Sequence, residues 1–324
     1  MISALASADA HIWLSILVKT MAYATTLVAA GSVLGLLGLR ELTEDGRSSL
    51  RRTAVIAALA AAALSVLRVP VRASFLMGGS FDGAIDPMML GIVAQSPLGA
   101  SVIVRLAGLA LIFAILVPMR AARWVALAGA IVTCASFALR GHALGDPRLL
   151  LGVLVTVHIL GIAFWLGAFA PLSRAARRET PATAGALAHE FGMKALWIVA
   201  TLVAAGAVIL ILLGAATPDA LATPYGEAFL VKLVLFAGVL GLAAMNKVRL
   251  TSDLKTAAPG AARRLLASIR MESALIAAIL ATTAALTTVT SPPSDHTRLA
   301  PQDGVSLMRT GLRISVCRQP YAAS

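Results

Sequence analysis

Two of the five histidines stand in one largely apolar stretch, Arg140 to Pro171, and its residue types are the ones that could do chemistry. His158 lies about ten residues into an apolar run, roughly 15 Å from its start at 1.5 Å per residue. Trp165 and Gly167 follow it, and Leu151, Leu154, His158, Gly161, Ile162 and Trp165 share one helical stripe. An imidazole in hydrocarbon needs a partner, so an ionisable side chain at that depth is a functional-site candidate. Two roles are open to it: a neutral ring donating to a neighbouring helix, or a metal ligand or proton relay. His142, in Arg140-Gly141-His142-Ala143, is either a solvated edge residue or a first ligand that hands an ion inward. Its offset from His158 fits a relay better than one shared chelate.

Sulfur supplies a second set. Cys134 lies about six residues, roughly 9 Å, inside the preceding apolar run. Thiolate and imidazole suit soft Cu(I), and a thioether such as that of Met21 could complete such a site; the alternative is a small buried residue that only packs. Met77, Met88 and Met89 stand beside Asp82 and Asp86 in the longest connection, Val71 to Pro97, which Gly78, Gly79, Gly83, Pro87 and Pro97 interrupt. A thioether has no proton to lose and resists an oxidising compartment better than a free thiol, so these methionines form a capture site or merely fill a folded-over loop. His11, at a helix start, either joins this outer set or is simply exposed, while His189 in a loop and His296 in the tail are not assigned as ligands.

The elements that must position these residues are membrane helices. The chain has 324 residues, 59% hydrophobic and only 13% charged, with mean hydropathy +0.89. Soluble domains carry about 25% charged residues. Apolar segments at about 12–39, 53–71, 99–118, 123–140, 149–171, 194–214, 226–247 and 266–290 are each long enough to span hydrocarbon. The expected fold is therefore all-α, a polytopic bundle of eight transmembrane helices over residues 1–290, the third and fourth forming a tight antiparallel hairpin. Residues 291–324 are expected to be a disordered tail. The start of the chain lacks a basic n-region, so a retained first helix is expected rather than a cleaved signal.

Most of the +12 net charge sits in alternate loops. Arg40 to Arg52, Arg120/Arg123, Arg174 to Arg178 and Lys247 to Arg264 lie on one side, which puts both termini outside by the positive-inside rule. No basic stripe with interleaved aromatics is present, so a nucleic-acid partner is not expected; membrane lipid is. Lys19, Arg105 and Lys232 lie near outward ends and are expected to snorkel, while Glu272, near an inner end, is expected to pair with an inner-loop arginine. No phosphate loop, HExxH, CxxCH or nucleophile elbow occurs, so the chain does not read as an enzyme. Cys134 and Cys317 form no redox pair. A bis-histidine haem needs two intramembrane histidines at one depth, and only His158 qualifies.

From Arg140 onward the chain resembles the copper-resistance protein D family (CopD/PcoD) of bacterial inner-membrane proteins. The matching positions are Gly141-His142-Ala143, His158 with Trp165-Leu166-Gly167, Thr223-Pro224-Tyr225-Gly226 leading to Lys232, Asn246-Lys247, and Arg270-Met271-Glu272. The first half agrees through Tyr23, Gly31, Gly99 and Arg105. The resemblance implies copper transport or homeostasis at the inner membrane, where the loop charges place both termini of this multi-pass chain on the periplasmic side. Copper, as Cu(I) or Cu(II), would be captured outside by Met77, Met88 and Met89, pass His142 and His158, and draw on Cys134. It also implies a periplasmic copper-binding partner of the CopC type. The alternative is a membrane scaffold or assembly factor that delivers copper to a partner enzyme.

Overall fold

The computed structural model describes residues 9–212, 224–256 and 258–289. The tail expected over 291–324, with His296 and Cys317, lies outside the described residues. Among the described residues every regular element is helical, and eight helices are long and apolar enough to cross a membrane. These are α1 (Ala10–Gly38), α2 (Glu44–Leu76), α3 (Pro97–Ile112), α4 (Arg120–Ala135), α5 (Arg148–Arg178), α6 (Pro181–Leu212), α7 (Pro224–Met245) and α8 (Ala261–Val289). Short 3-10 segments, Phe113–Leu116 and Ser136–Leu139, extend α3 and α4. A π turn, Asn246–Leu250, and the short helix Thr251–Lys255 extend α7. The bundle end where α1 begins is the upper end, and the opposite one the lower end.

Most helices run past the apolar windows that announced them, because polar caps and first-turn charges add turns beyond the hydrocarbon-length core. Thr43 caps α2, its Oγ1 accepting from the Gly46 amide at 3.1 Å, with Glu44 and Asp45 in the first turn. Arg174 then ties α5 to that turn through Asp45 at 2.8 Å. The connection expected between Val71 and Pro97 is largely helical, and α2 continues through Pro70 to Leu76. Two short helices follow, Phe81–Ile85 and Pro87–Gln95. Its prolines start helices instead of breaking them: Asp86 and Ser96 are the caps, and Pro87 and Pro97 occupy the first turn, where a missing N–H costs nothing.

The centre of the bundle is the crossing of α1 and α5. A Cβ added at Gly31 would sit 1.8 Å from the Ala163 carbonyl oxygen, and one at Gly167 would sit 2.1 Å from the Gly31 carbonyl. The two backbones therefore touch, the close approach that small residues permit in lipid. Gly108 and Gly129 do the same for the α3–α4 hairpin, with a Cβ at Gly129 falling 2.7 Å from the Gly108 oxygen. Around α1 pack α2, α4, α5 and α8; around α5 pack α1, α4, α6 and α8. Outward-facing Ile56, Ile103, Leu149, Trp197 and Val234 are exposed, as suits a surface facing acyl chains.

Gly31→Ala and Gly167→Ala are expected to destabilise the fold by at least about 1–3 kcal/mol, the overpacking range. Gly91→Ala, whose Cβ meets nothing within 4 Å, is the control and should be near neutral. Thermal unfolding of the purified protein, followed by circular dichroism, measures the difference.

Candidate metal-handling site

On α5, Gly167 faces α1, and Trp165, two residues earlier and so about 200° around the helix, faces the other way. There the indole Nε1 of Trp165 donates to Glu272 Oε2 on α8 at 3.1 Å. Asn246, the first residue of the π turn, donates its side-chain amide to the other carboxylate oxygen. Glu272 is 2% exposed and Trp165 4% exposed. Thr251 fastens the turn from below, its hydroxyl donating to the Asn246 carbonyl at 2.9 Å. The expected ion pair of Glu272 with an inner-loop arginine does not form. The described arginine pairs are with Glu44, Asp45 and Asp253, and neutral donors hold Glu272 instead. The reason is depth: Glu272 lies nearly three turns into α8, beyond easy reach of loop guanidinium groups.

This triad opens on a cavity of about 300 Å³ between α5, α6, α8 and the π turn. Trp165, Phe169, Phe191, Leu240 and Ile269 give it apolar walls, and Phe191 meets the Trp165 ring edge-on at 6.0 Å. Glu272, Asn246, Lys247 and Thr251 are its polar lining. The side-chain carbonyl oxygen of Asn246 is buried with no hydrogen-bond partner. A carboxylate and a free amide oxygen thus line one cavity. Such oxygens suit harder cations than thioethers do.

His158 stands two turns above Trp165 on the same stripe, about 10 Å along the axis. It is part-buried against α6, where its ring is hydrogen-bonded to the Leu202 backbone, as the neutral-donor role expects, and a Cβ at neighbouring Gly161 would meet the Leu202 side chain at 2.9 Å, while its Nδ1 is buried without a partner. Lys232 of α7 is within electrostatic range.

The other candidates are spread along the upper half. His142 belongs to the 3-10 turn Gly141–Leu144, which Gly141 enters with φ +63°; its side chain lies outside the described residues. Met77 caps α2 and packs on the short helix Phe81–Ile85, Met88 is exposed, and Met89 turns inward onto Ala73, Val93, Leu98 and Val102. His11 comes closer to this group than expected: its ring covers Gly79 and lies 6.1 Å from Phe75. Cys134 is fully buried on α4 in the main apolar core, with Arg105 as its charged neighbour. Among the described residues, no three His, Cys, Asp or Glu side chains come together as a metal cage.

The expected snorkelling of Lys19 and Arg105 does not occur. Lys19 is 5% and Arg105 1% exposed, because neighbouring hydroxyls and aromatic faces receive them inside the bundle. The sequence does not announce the buried Glu272–Trp165–Asn246 triad as a unit, although all three residues lie in the motifs that carry the resemblance. Their order in the chain holds the signal, but not their meeting.

A sequence-family profile described as "Copper resistance protein D" matches residues 185–286, and one described as "Copper resistance protein D-like, N-terminal domain" matches residues 7–147. The protein named Copper resistance protein D of Pseudomonas syringae pv. tomato is 30% identical over 283 residues, covering 81% of this chain and 90% of that protein. The chain belongs to the copper resistance protein D family. It is a multi-pass membrane protein of that family, and no solved structure matches it. The family match covers the first half as fully as the second, more than Tyr23, Gly31, Gly99 and Arg105 alone suggested. Asn246 and Glu272 fall within the matched region 185–286; the whole of α5, with His158 and Trp165, lies between the two matched regions.

Removing the Glu272 carboxylate strands two buried donors, so Glu272→Ala should cost roughly 1–3 kcal/mol per donor left unpaired. Glu272→Gln keeps one acceptor oxygen for two donors and should fall between Ala and wild type. Chemical unfolding in detergent ranks the three; an Ala variant as stable as wild type would mean the triad is not formed.

Proposed function

We propose that this protein serves copper resistance or homeostasis, and that it does so by moving copper across the bacterial inner membrane. The observation that carries the reading is a buried, cavity-facing carboxylate, Glu272, bonded to the same α5 stripe that holds an under-partnered His158, in a chain of the copper resistance protein D family. In this reading Met77 and Met88, above Met89, with His142 at the rim, collect the ion outside. His158 takes it at mid-bundle, and the oxygens of Glu272 and Asn246 receive it for release inside or, in reverse, load it for export. The donor series runs from thioether to imidazole to oxygen, so each step is ligand exchange between sites weak enough to let go. Cys134 is left off this route, since the fixed charge of Arg105 beside it disfavours a cation there. Basic loops at the lower end support placing both termini in the periplasm, where a copper-binding protein of the CopC type would be the source or sink. The reading assigns no catalytic step.

The family match also accommodates a second reading, a membrane scaffold or assembly factor that helps a partner enzyme receive copper.

Copper uptake or release by sealed proteoliposomes separates them. Transport predicts protein-dependent flux, reduced about tenfold or more in His158→Ala and in Glu272→Gln while both variants keep wild-type helical content. Absence of flux with wild-type protein, together with loss of copper from a partner enzyme in a deletion strain, would establish the scaffold reading instead.

A further inference from the structure

The upper half of α1–α4 collects positive charge that the copper reading does not use. Lys19 on α1, Arg68 on α2, Arg105 on α3 and Arg140 after α4 surround Tyr23 and Phe137, and Arg72, one turn beyond Arg68 on α2, lies over the Phe75 ring. The Arg68 guanidinium lies 5.2 Å from the centre of the Tyr23 ring, the Arg105 guanidinium 4.4 Å from that of Phe137, and the two ring centres are 5.1 Å apart. Lys19, Arg68 and Arg105 are 5%, 5% and 1% exposed. They lie about 12–14 Å below the upper helix ends at 1.5 Å per residue. Half-buried Arg72 and Arg140 lie nearer those ends, so the charges form a graded path from surface to interior.

The acidic group nearest Lys19, Arg68 and Arg105 is the Tyr23 phenol, which is hydrogen-bonded to Arg68; their other partners are hydroxyls. Arg105 donates to Ser136 Oγ at 3.0 Å and to Ser101 Oγ at 3.5 Å; Lys19 donates to Thr288 Oγ1 at 3.3 Å. Among the described residues, no carboxylate is an electrostatic neighbour of Lys19, Arg68, Arg72 or Arg105, and the ion pairs all involve other residues. One Nη1 each on Arg68, Arg105 and Arg140 is buried with no hydrogen-bond partner. Buried charges are normally paired, and several like charges at one depth repel. The surroundings thus supply donors and positive field, and among the described residues the Tyr23 phenol is the one acidic group set against Lys19, Arg68 and Arg105 alike.

We propose that this is a binding site for an oxyanion of the phosphate class, supplied by a lipid headgroup or by free phosphate. Guanidinium groups arriving from α2, α3 and the end of α4, with an ammonium from α1, present donors from several directions. That suits a tetrahedral, multiply charged group better than a single planar carboxylate. Low-dielectric walls focus the field along the path from Arg72 and Arg140 inward. The bound anion would also lock α1–α4 together, since each contributes a cation at or next to its own segment.

Radiolabelled inorganic phosphate is titrated against the delipidated full-length protein, and phosphatidylglycerol retained through purification is counted by native mass spectrometry. Saturable binding of about one phosphate per chain, weakened at least tenfold in Arg105→Gln and Arg68→Gln but not in Arg123→Gln at the lower end, supports the site with free phosphate as its ligand. One tightly retained phosphatidylglycerol, lost in the same variants, supports it with a headgroup as the ligand. Because the interior variants can unfold for lack of packing, Arg72→Gln/Arg140→Gln is measured in parallel. In wild type the occupying anion should raise the unfolding midpoint above that in chloride of equal ionic strength, and this double variant should lose the rise. Folded wild type that binds neither phosphate nor phosphatidylglycerol and gains no such rise overturns the proposal.

Discussion

The backbone contact between α1 and α5 at Gly31 and Gly167 sets the positions of everything else. In lipid there is no hydrophobic gain in bringing two helices together, so close backbone packing has to supply the attraction. That demand fixes the rotation of α5: with Gly167 against α1, Trp165 must look toward α8 and His158, one heptad above it, toward α6. On the α1 side the same contact leaves Lys19 and Tyr23 on turns that meet α8, α2 and α4. Two polar centres are therefore placed by one pair of glycines.

The two centres differ in sign and in half. The first half buries cations around aromatic rings near the upper end; the second buries a carboxylate held by an indole and an amide near the lower end. Polar groups inside such bundles are expensive unless partnered, and at both centres part of the partnering is missing: guanidinium N–H groups above, the Asn246 oxygen below. Unspent hydrogen-bonding capacity of opposite character, at opposite depths, is the feature that turns a packed bundle into one that invites ligands.

Much of the architecture was legible in the sequence, because length and hydropathy decide whether a segment spans lipid. The eight spans and the α3–α4 hairpin follow from those alone. Helix ends were less legible, since caps such as Thr43, Asp86 and Ser96 act through a few hydrogen bonds that an apolar window does not weigh. Charged residues were misjudged for a tertiary reason. Whether Lys19 or Arg105 reaches outward depends on hydroxyls and rings from other helices, Thr288, Ser136 and Phe137, which no local pattern reveals. The partners of Glu272 lie 26 and 107 residues away along the chain, so its motif was visible but its role was not.

The π turn at Asn246–Leu250 gives the lower centre an unusual dependence on chain length. Such a turn is an α-helix carrying one residue more than its regular hydrogen bonding requires. Losing a residue there would let the turn close to ordinary α winding while the helix on either side kept nearly its present facing. Thr251 would still reach the Asn246 carbonyl, now as a bond to the carbonyl four residues back, but the widened turn that carries Asn246 against Glu272 would be gone. The Asn246 arm of that clasp is thus built on an insertion, a matter of counting residues that no exchange of one side chain for another could imitate.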